Sequence, residues 1–111
     1  MYGRKVDSSK LDWTPIPFDG ITIKVLDQDE THGGCTVLTR MEPGSSIPKH
    51  HHERSDETVY VLEGDFVEDG IEFGPGSFFV GNAGTTHGPH QTRRGCVLLT
   101  TFSADVDFQL D

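Results

Sequence analysis

The sequence predicts an all-β domain, an antiparallel sandwich or barrel, and three observations carry that prediction. Apolar runs rich in Val, Ile, Thr, Phe and Leu recur at short intervals along the chain. Each run is broken by turn chemistry, in keeping with 13 glycines and 6 prolines among 111 residues. No segment carries a sustained helical stripe flanked by an N-cap and a C-terminal glycine.

The elements follow in order within a single domain, 1–111. Residues up to about 20 read as an extended arm. Trp13, Ile16 and Phe18 stand between prolines there and suit packing across a surface, with a homodimer as the expected assembly. Strands are expected at 21–27 (ITIKVLD) and 35–41 (CTVLTRM), joined by the polar stretch DQDETHGG, in which His32 reads as solvated. After the turn EPGSSIP comes a histidine-bearing stretch, then strands at 57–63 (ETVYVLE), 77–81 (SFFVG) and 96–103 (CVLLTTFS). The barrel thus occupies about 21–103. Alternate residues of a strand share a face, so Val59 and Val61 go with Glu57, while Thr58, Tyr60 and Leu62 look the other way.

The bulk charge excludes some partners. With 18 acidic against 9 basic residues the net charge is −9, the wrong sign for neutralising nucleic-acid phosphates or docking on anionic lipid. The TRRG turn at 92–95 adds only two exposed cations. No apolar run approaches the ~20 residues that span a bilayer, and the first residues lack a signal-peptide core. A cytoplasmic protein is expected, and with it free thiols at Cys35 and Cys96.

Chemistry concentrates in IPKHHHERSDETVYVLEGD, residues 47–65. In an extended segment His50 and His52 share one face and His51 takes the other. Two imidazoles from one strand can reach a common ion at about 2.0–2.2 Å. Glu57 opens the next apolar run and can swing back as an oxygen ligand if ERSD makes a tight turn. His87, in GNAGTTHGPHQ, follows a strand between glycine turns and comes opposite the pair if the two segments run antiparallel. Three imidazoles and a carboxylate leave about two positions open on an octahedral ion, as a reactive site requires.

The spacing Gly44-x5-His50-x-His52-x4-Glu57-x6-Gly64 reproduces the first cupin motif at every fixed position. Gly76, Gly84 and His87 fall at the spacing of the second, with Asn82 where proline is usual and Gln91 where asparagine is usual. Together with WTPIPFDGITIKVL, RMEPGSSIPKHHH, VYVLEGDF and AGTTHGPHQTRRGCVLL, these motifs resemble the ChrR-type cupins. That group includes relatives of acetylacetone-cleaving and dihydroxyacetophenone dioxygenases. The resemblance implies a double-stranded β-helix, a small jelly roll or cupin barrel. It also implies His50, His52, Glu57 and His87 as ligands of one divalent metal ion. The acetylacetone-cleaving enzymes use three histidines without a carboxylate, a difference from Glu57 here.

The functional expectation is a metal-dependent enzyme. A non-haem dioxygenase would cleave a C–C bond of a diketone or hydroxyaryl-ketone-like small molecule, with Fe(II) foremost and Mn(II), Ni(II), Co(II) or Zn(II) as alternatives. Glu57 is also a candidate catalytic base. Two alternatives stand beside this reading: a metal-containing module that binds or senses a small molecule without turnover, and an oxygen-independent isomerase or lyase. Around the ligands, Arg40, Met41, Val59, Val61, Phe78 and His90 are candidates for the pocket wall or for contacts to ligands or substrate.

Overall fold

The computed structural model describes all 111 residues and contains twelve strands and a single 3-10 turn, Ser8–Lys10. In chain order the strands are β1 (Thr14–Pro15), β2 (Ile21–Gln28), β3 (Cys35–Met41), β4 (Ser46–Ile47), β5 (His50–His51) and β6 (Glu57–Gly64). They continue with β7 (Phe66–Glu68), β8 (Ile71–Phe73), β9 (Phe78–Gly81), β10 (His90–Gln91), β11 (Cys96–Phe102) and β12 (Gln109–Leu110). No helix is long and apolar enough to cross a membrane.

Every strand pair is antiparallel, as the recurring strand–turn pattern predicts. The large sheet has the order β1-β2-β3-β11-β6-β9, and a smaller one the order β4-β10-β7-β8. A third, two-stranded sheet pairs β12 with β5. This is an all-β architecture of the kind the resemblance implies. Its core joins the two larger sheets: Ile21, Met41, Val59, Val61, Cys96 and Leu98 come from one, and Phe66 from the other.

Period-two alternation decides which side chains enter that core. On β6, Val59 and Val61 are buried whereas Tyr60 and Leu62 stay exposed. On β3 the buried set is Val37, Thr39 and Met41. The arm does not stand free, because β1 pairs with β2, and Ile16 and Phe18 pack on the core of their own chain. Lys24 and Arg40 both lie over the Trp13 ring, a cation–π contact that anchors it.

Two features differ from the sequence reading. The β7–β8 hairpin adds a strand pair between the expected strands at 57–63 and 77–81, and Asp69 and Gly70 at its tip both take positive φ. The closing strand β12 lies beyond residue 103, so the C-terminal segment returns to the barrel.

Gly64, the last fixed position of the motif, has a steric explanation. Its φ is +80°, and a Cβ there would run into the carbonyl oxygen of Gly95. No other residue fits that backbone approach. Beside it, the fully buried Asp65 carboxylate accepts the backbone N–H groups of Arg93 and Arg94, each at 2.8 Å, and the Thr92 hydroxyl at 3.1 Å. Burial alone would raise its pKa, but these donors outweigh it and hold the group ionised. The carboxylate pins the 92–95 turn that feeds β11. Cys35 and Cys96 are both free thiols.

Candidate metal centre

Backbone pairing assembles the site. His50 and His87 form an isolated antiparallel bridge, with N–H···O bonds of 3.0 and 2.8 Å in the two directions. Glu57 starts β6 directly opposite Gly81 of β9. Four side chains from distant parts of the chain therefore converge, and one donor atom from each of His50, His52, Glu57 and His87 lies within 4.8 Å of all the others.

Hydrogen bonds orient the imidazoles. His50 Nδ1 donates to the Pro48 carbonyl at 2.7 Å, and His52 Nδ1 to the Asp107 carbonyl at 2.5 Å. A carbonyl only accepts, so both rings carry the proton on Nδ1 and present Nε2 as a lone pair. His50 Nε2 lies 3.1 Å from His87 Nε2, which is itself 3.1 Å from Glu57 Oε1. His52 Nε2 stands 3.5 Å from the same carboxylate oxygen and is enclosed without a hydrogen-bond partner. Either a hydrogen on His87 Nε2 or a cation in its place has to lie among these facing nitrogens and the carboxylate. The donor set and its orphaned nitrogen fit a divalent cation.

Electrostatics act differently on the individual ligands. Burial pushes the pKa of His50 down to about 4, so the ring is neutral at pH 7. Burial works to raise Glu57, but the facing imidazoles of His52 and His87 prevail and hold it at about 2. For His52, burial is opposed and outweighed by Glu57 and the Asp107 carbonyl, and its pKa is raised. Neutral His50 beside ionised Glu57 is the state that binds metal, whereas at His52 the ion competes with a more tightly held proton.

His51 points away, as the strand alternation predicts, and its Nδ1 meets the Asp111 carboxylate at 2.9 Å. A cavity of about 390 Å³ opens from the ligand cluster into the barrel, with His50, His52 and Glu57 on one wall. Its other walls are largely apolar, among them Phe18, Ile47, Leu98 and Phe102. A second, smaller cavity of about 220 Å³ reaches Glu57 and His87 from the side of the β7–β8 hairpin.

The remaining candidates sort by strand parity. Val59 lines both cavities, and Met41 and Val61 are core residues. Arg40 and Phe78 do not belong to the site. Arg40 lies on the outer face of β3, 3.1 Å from Glu42 and over Trp13. Phe78 pairs with outward-facing Tyr60 and is 59% exposed, whereas its neighbour Phe79 turns inward. His90 lies beside the cluster, 7% exposed, its ring centroid 5.1 Å from that of His50.

Three contributors escape the sequence reading. Asp107 holds His52 through its carbonyl, and its carboxylate accepts the N–H groups of Glu53 and Arg54. Phe108 stacks on His50 with centroids 4.1 Å apart and planes 19° apart. Glu68 bonds His90 Nδ1. The alternation of ADVDFQLD is too short to signal a strand, and Glu68 is ordinary in a polar hairpin.

A small antiparallel jelly roll with three imidazoles and a carboxylate converging inside it is a cupin with a candidate mononuclear metal centre. The chain belongs to the ChrR cupin-like domain family, whose model matches residues 3–104. Among solved structures it is similar to KdgF from Halomonas sp., at 26% identity and a TM-score of 0.79, covering 96% of this chain and 97% of that one. The polyketide cyclase RemF from Streptomyces resistomycificus superposes at a TM-score of 0.83 with 21% identity, covering 98% and 85%. An acetylacetone dioxygenase from Acinetobacter johnsonii gives a TM-score of 0.73 with 21% identity, covering 93% and 74%. No curated protein matches the chain.

Proposed function

We propose that the protein is a mononuclear metal-dependent dioxygenase that cleaves a C–C bond of a small β-diketone or hydroxyaryl ketone. The observation that carries this reading is the position of the ligand cluster, on the wall of an otherwise apolar cavity. Neighbouring oxygens of such a substrate lie toward the cluster while its carbon skeleton fills the apolar end. His50, His52, Glu57 and His87 would hold the ion, Fe(II) foremost. When bound, the cation supplies Lewis acidity that stabilises the negative charge of an enolate. Glu57 lowers the net charge of the site and is the group placed to take a proton from the substrate carbon. The Phe18, Phe102 and Phe108 rings keep water from the reacting atoms. The likeness to an acetylacetone dioxygenase supports the substrate class through the fold alone.

A second reading is oxygen-independent isomerisation, elimination or ring closure at the same site. Glu57 favours it, since a carboxylate within the cluster, beside three imidazoles, can move protons without oxygen. KdgF and a polyketide cyclase share the barrel closely. One experiment separates the two readings. Fe(II)-loaded protein is incubated with a panel of β-diketones and hydroxyaryl ketones in an oxygen electrode, then under strict anaerobiosis. Oxygen uptake matched to fragment formation supports the dioxygenase. Product formed equally without oxygen overturns it in favour of the second reading.

A further inference from the structure

We propose that His90, with its tautomer set by Glu68, is the specificity-determining hydrogen-bond acceptor of the cavity and selects ligands that carry a hydroxyl. The proposal rests on the reading of that cavity as the substrate site.

His90 sits on β10 between β4 and β7, and its ring lies against those of Phe66 and His87, each with centroids 5.3 Å away. The side chain is buried, yet it lines the large cavity together with His50, His52 and Glu57. One edge of the ring is fixed, because Nδ1 is bonded to the Glu68 carboxylate across the small sheet. An ionised carboxylate only accepts, so Nδ1 carries the hydrogen and Nε2 is left as a lone pair. That Nε2 is enclosed and has no hydrogen-bond partner in the protein. It is not one of the four converging donor atoms either. A buried acceptor with nothing to accept from is disfavoured, and a ligand offering O–H relieves it. Largely apolar walls, with the Thr39 and Thr100 hydroxyls bonded to each other and one unpartnered acceptor beside the ligand cluster, select a small molecule bearing a phenolic or enolic hydroxyl. A methyl ether of the same shape has no hydrogen to give.

The identity of the partner at Nδ1 makes the proposal testable without changing the imidazole. In Glu68→Gln the amide NH2 can donate to Nδ1, which moves the ring hydrogen to Nε2 and turns the acceptor into a donor. A purely structural His90 would not alter ligand preference in that way.

The experiment uses Zn(II)-loaded full-length protein, which binds without redox turnover. Affinities are measured by calorimetry for 2-hydroxyacetophenone against 2-methoxyacetophenone, and for phenol against anisole. The second pair carries no ketone and is therefore independent of the proposed reaction. The wild type is expected to favour the hydroxyl member of each pair. In both His90→Leu and Glu68→Gln that preference should fall about tenfold, the effect of one hydrogen bond, with zinc still bound at wild-type stoichiometry. Any preference due to the ion itself persists in the variants, so the change in ratio isolates His90. Ratios unchanged in both variants, or no discrimination by the wild type in either pair, overturn the proposal. Loss of zinc in His90→Leu also overturns it, by making His90 a ligand. Discrimination within the phenol pair alone keeps the proposal and rejects the ketone substrate class.

Discussion

Gly81→Ala tests the site through a single methyl group. Gly81 faces inward from β9, opposite Glu57, and a Cβ built there comes 2.9 Å from His87 Nδ1 and 3.1 Å from its Cε1. Ordinary contact begins near 3.4 Å, so the ring must retreat by about 0.5 Å. The ring is the party that yields, since the His87 side chain is 20% exposed while its backbone is bonded to His50 on both sides. Metal–ligand distances tolerate only about 0.2 Å, so the displaced nitrogen cannot keep its bond while the other three ligands keep theirs. Displacing what positions a ligand lowers metal affinity by about 10–100-fold, or about 1.4–2.8 kcal/mol. The fold of the metal-free protein should hardly notice, because alanine in a strand is about 0.5–1 kcal/mol better than glycine and offsets the shifted ring. The assay is competition for Zn(II) against a chelator, paired with thermal melts of the metal-free protein. A variant that binds zinc as tightly as the wild type would refute the placement of His87. So would one that loses metal only because it unfolds.

Three further outcomes follow from the same geometry. His51→Ala should keep the metal content of the wild type, because its ring is tied to Asp111 and not to the cluster, whereas His50→Ala or His52→Ala should lose most of it; elemental analysis of the purified variants decides this. In the metal-free protein His50 should titrate near pH 4, visible in its NMR ring signals. The fold keeps this ring neutral, so the unfolded chain binds the proton more readily. Its contribution of about 3 kcal/mol is therefore full above pH 6.5 and is lost as pH falls to about 4. A ring already charged at pH 6 would contradict the burial argument. Asp65→Ala should destabilise the fold by about 2–4 kcal/mol, by orphaning the N–H groups of Arg93 and Arg94. Zinc affinity of the folded fraction should stay unchanged, as checked by denaturant melts and the same chelator competition.

Strand periodicity made the inner surface legible where it could be counted from a fixed point. Counting from Glu57 places Val59 and Val61 inside and Tyr60 and Leu62 outside, and the structure agrees. The same count carried across the β6–β9 pair would have put Phe78 outside, opposite Tyr60, and Phe79 inside. The error lay in reading SFFVG without a register. His87 was legible because it falls with Gly76 and Gly84 at the spacing of the second cupin motif, and an antiparallel return brings it opposite His50. The tail was not: Asp107, Phe108 and Asp111 act on His52, His50 and His51 through contacts more than 50 residues apart in the chain. Only three-dimensional packing, not local alternation, records such contacts. Glu68 escaped for the same reason, because its role depends on β7 lying beside β10.

The central claim is that His50, His52, Glu57 and His87 together hold one divalent ion. The most direct measurement is titration of the chelator-stripped protein with Co(II), following the visible spectrum to its end point. The account predicts saturation at one ion per chain and a spectrum with nitrogen and oxygen ligation. Stripped protein that takes up no cobalt, or a Glu57→Gln, His87→Ala double variant that binds it as tightly as the wild type, would contradict it.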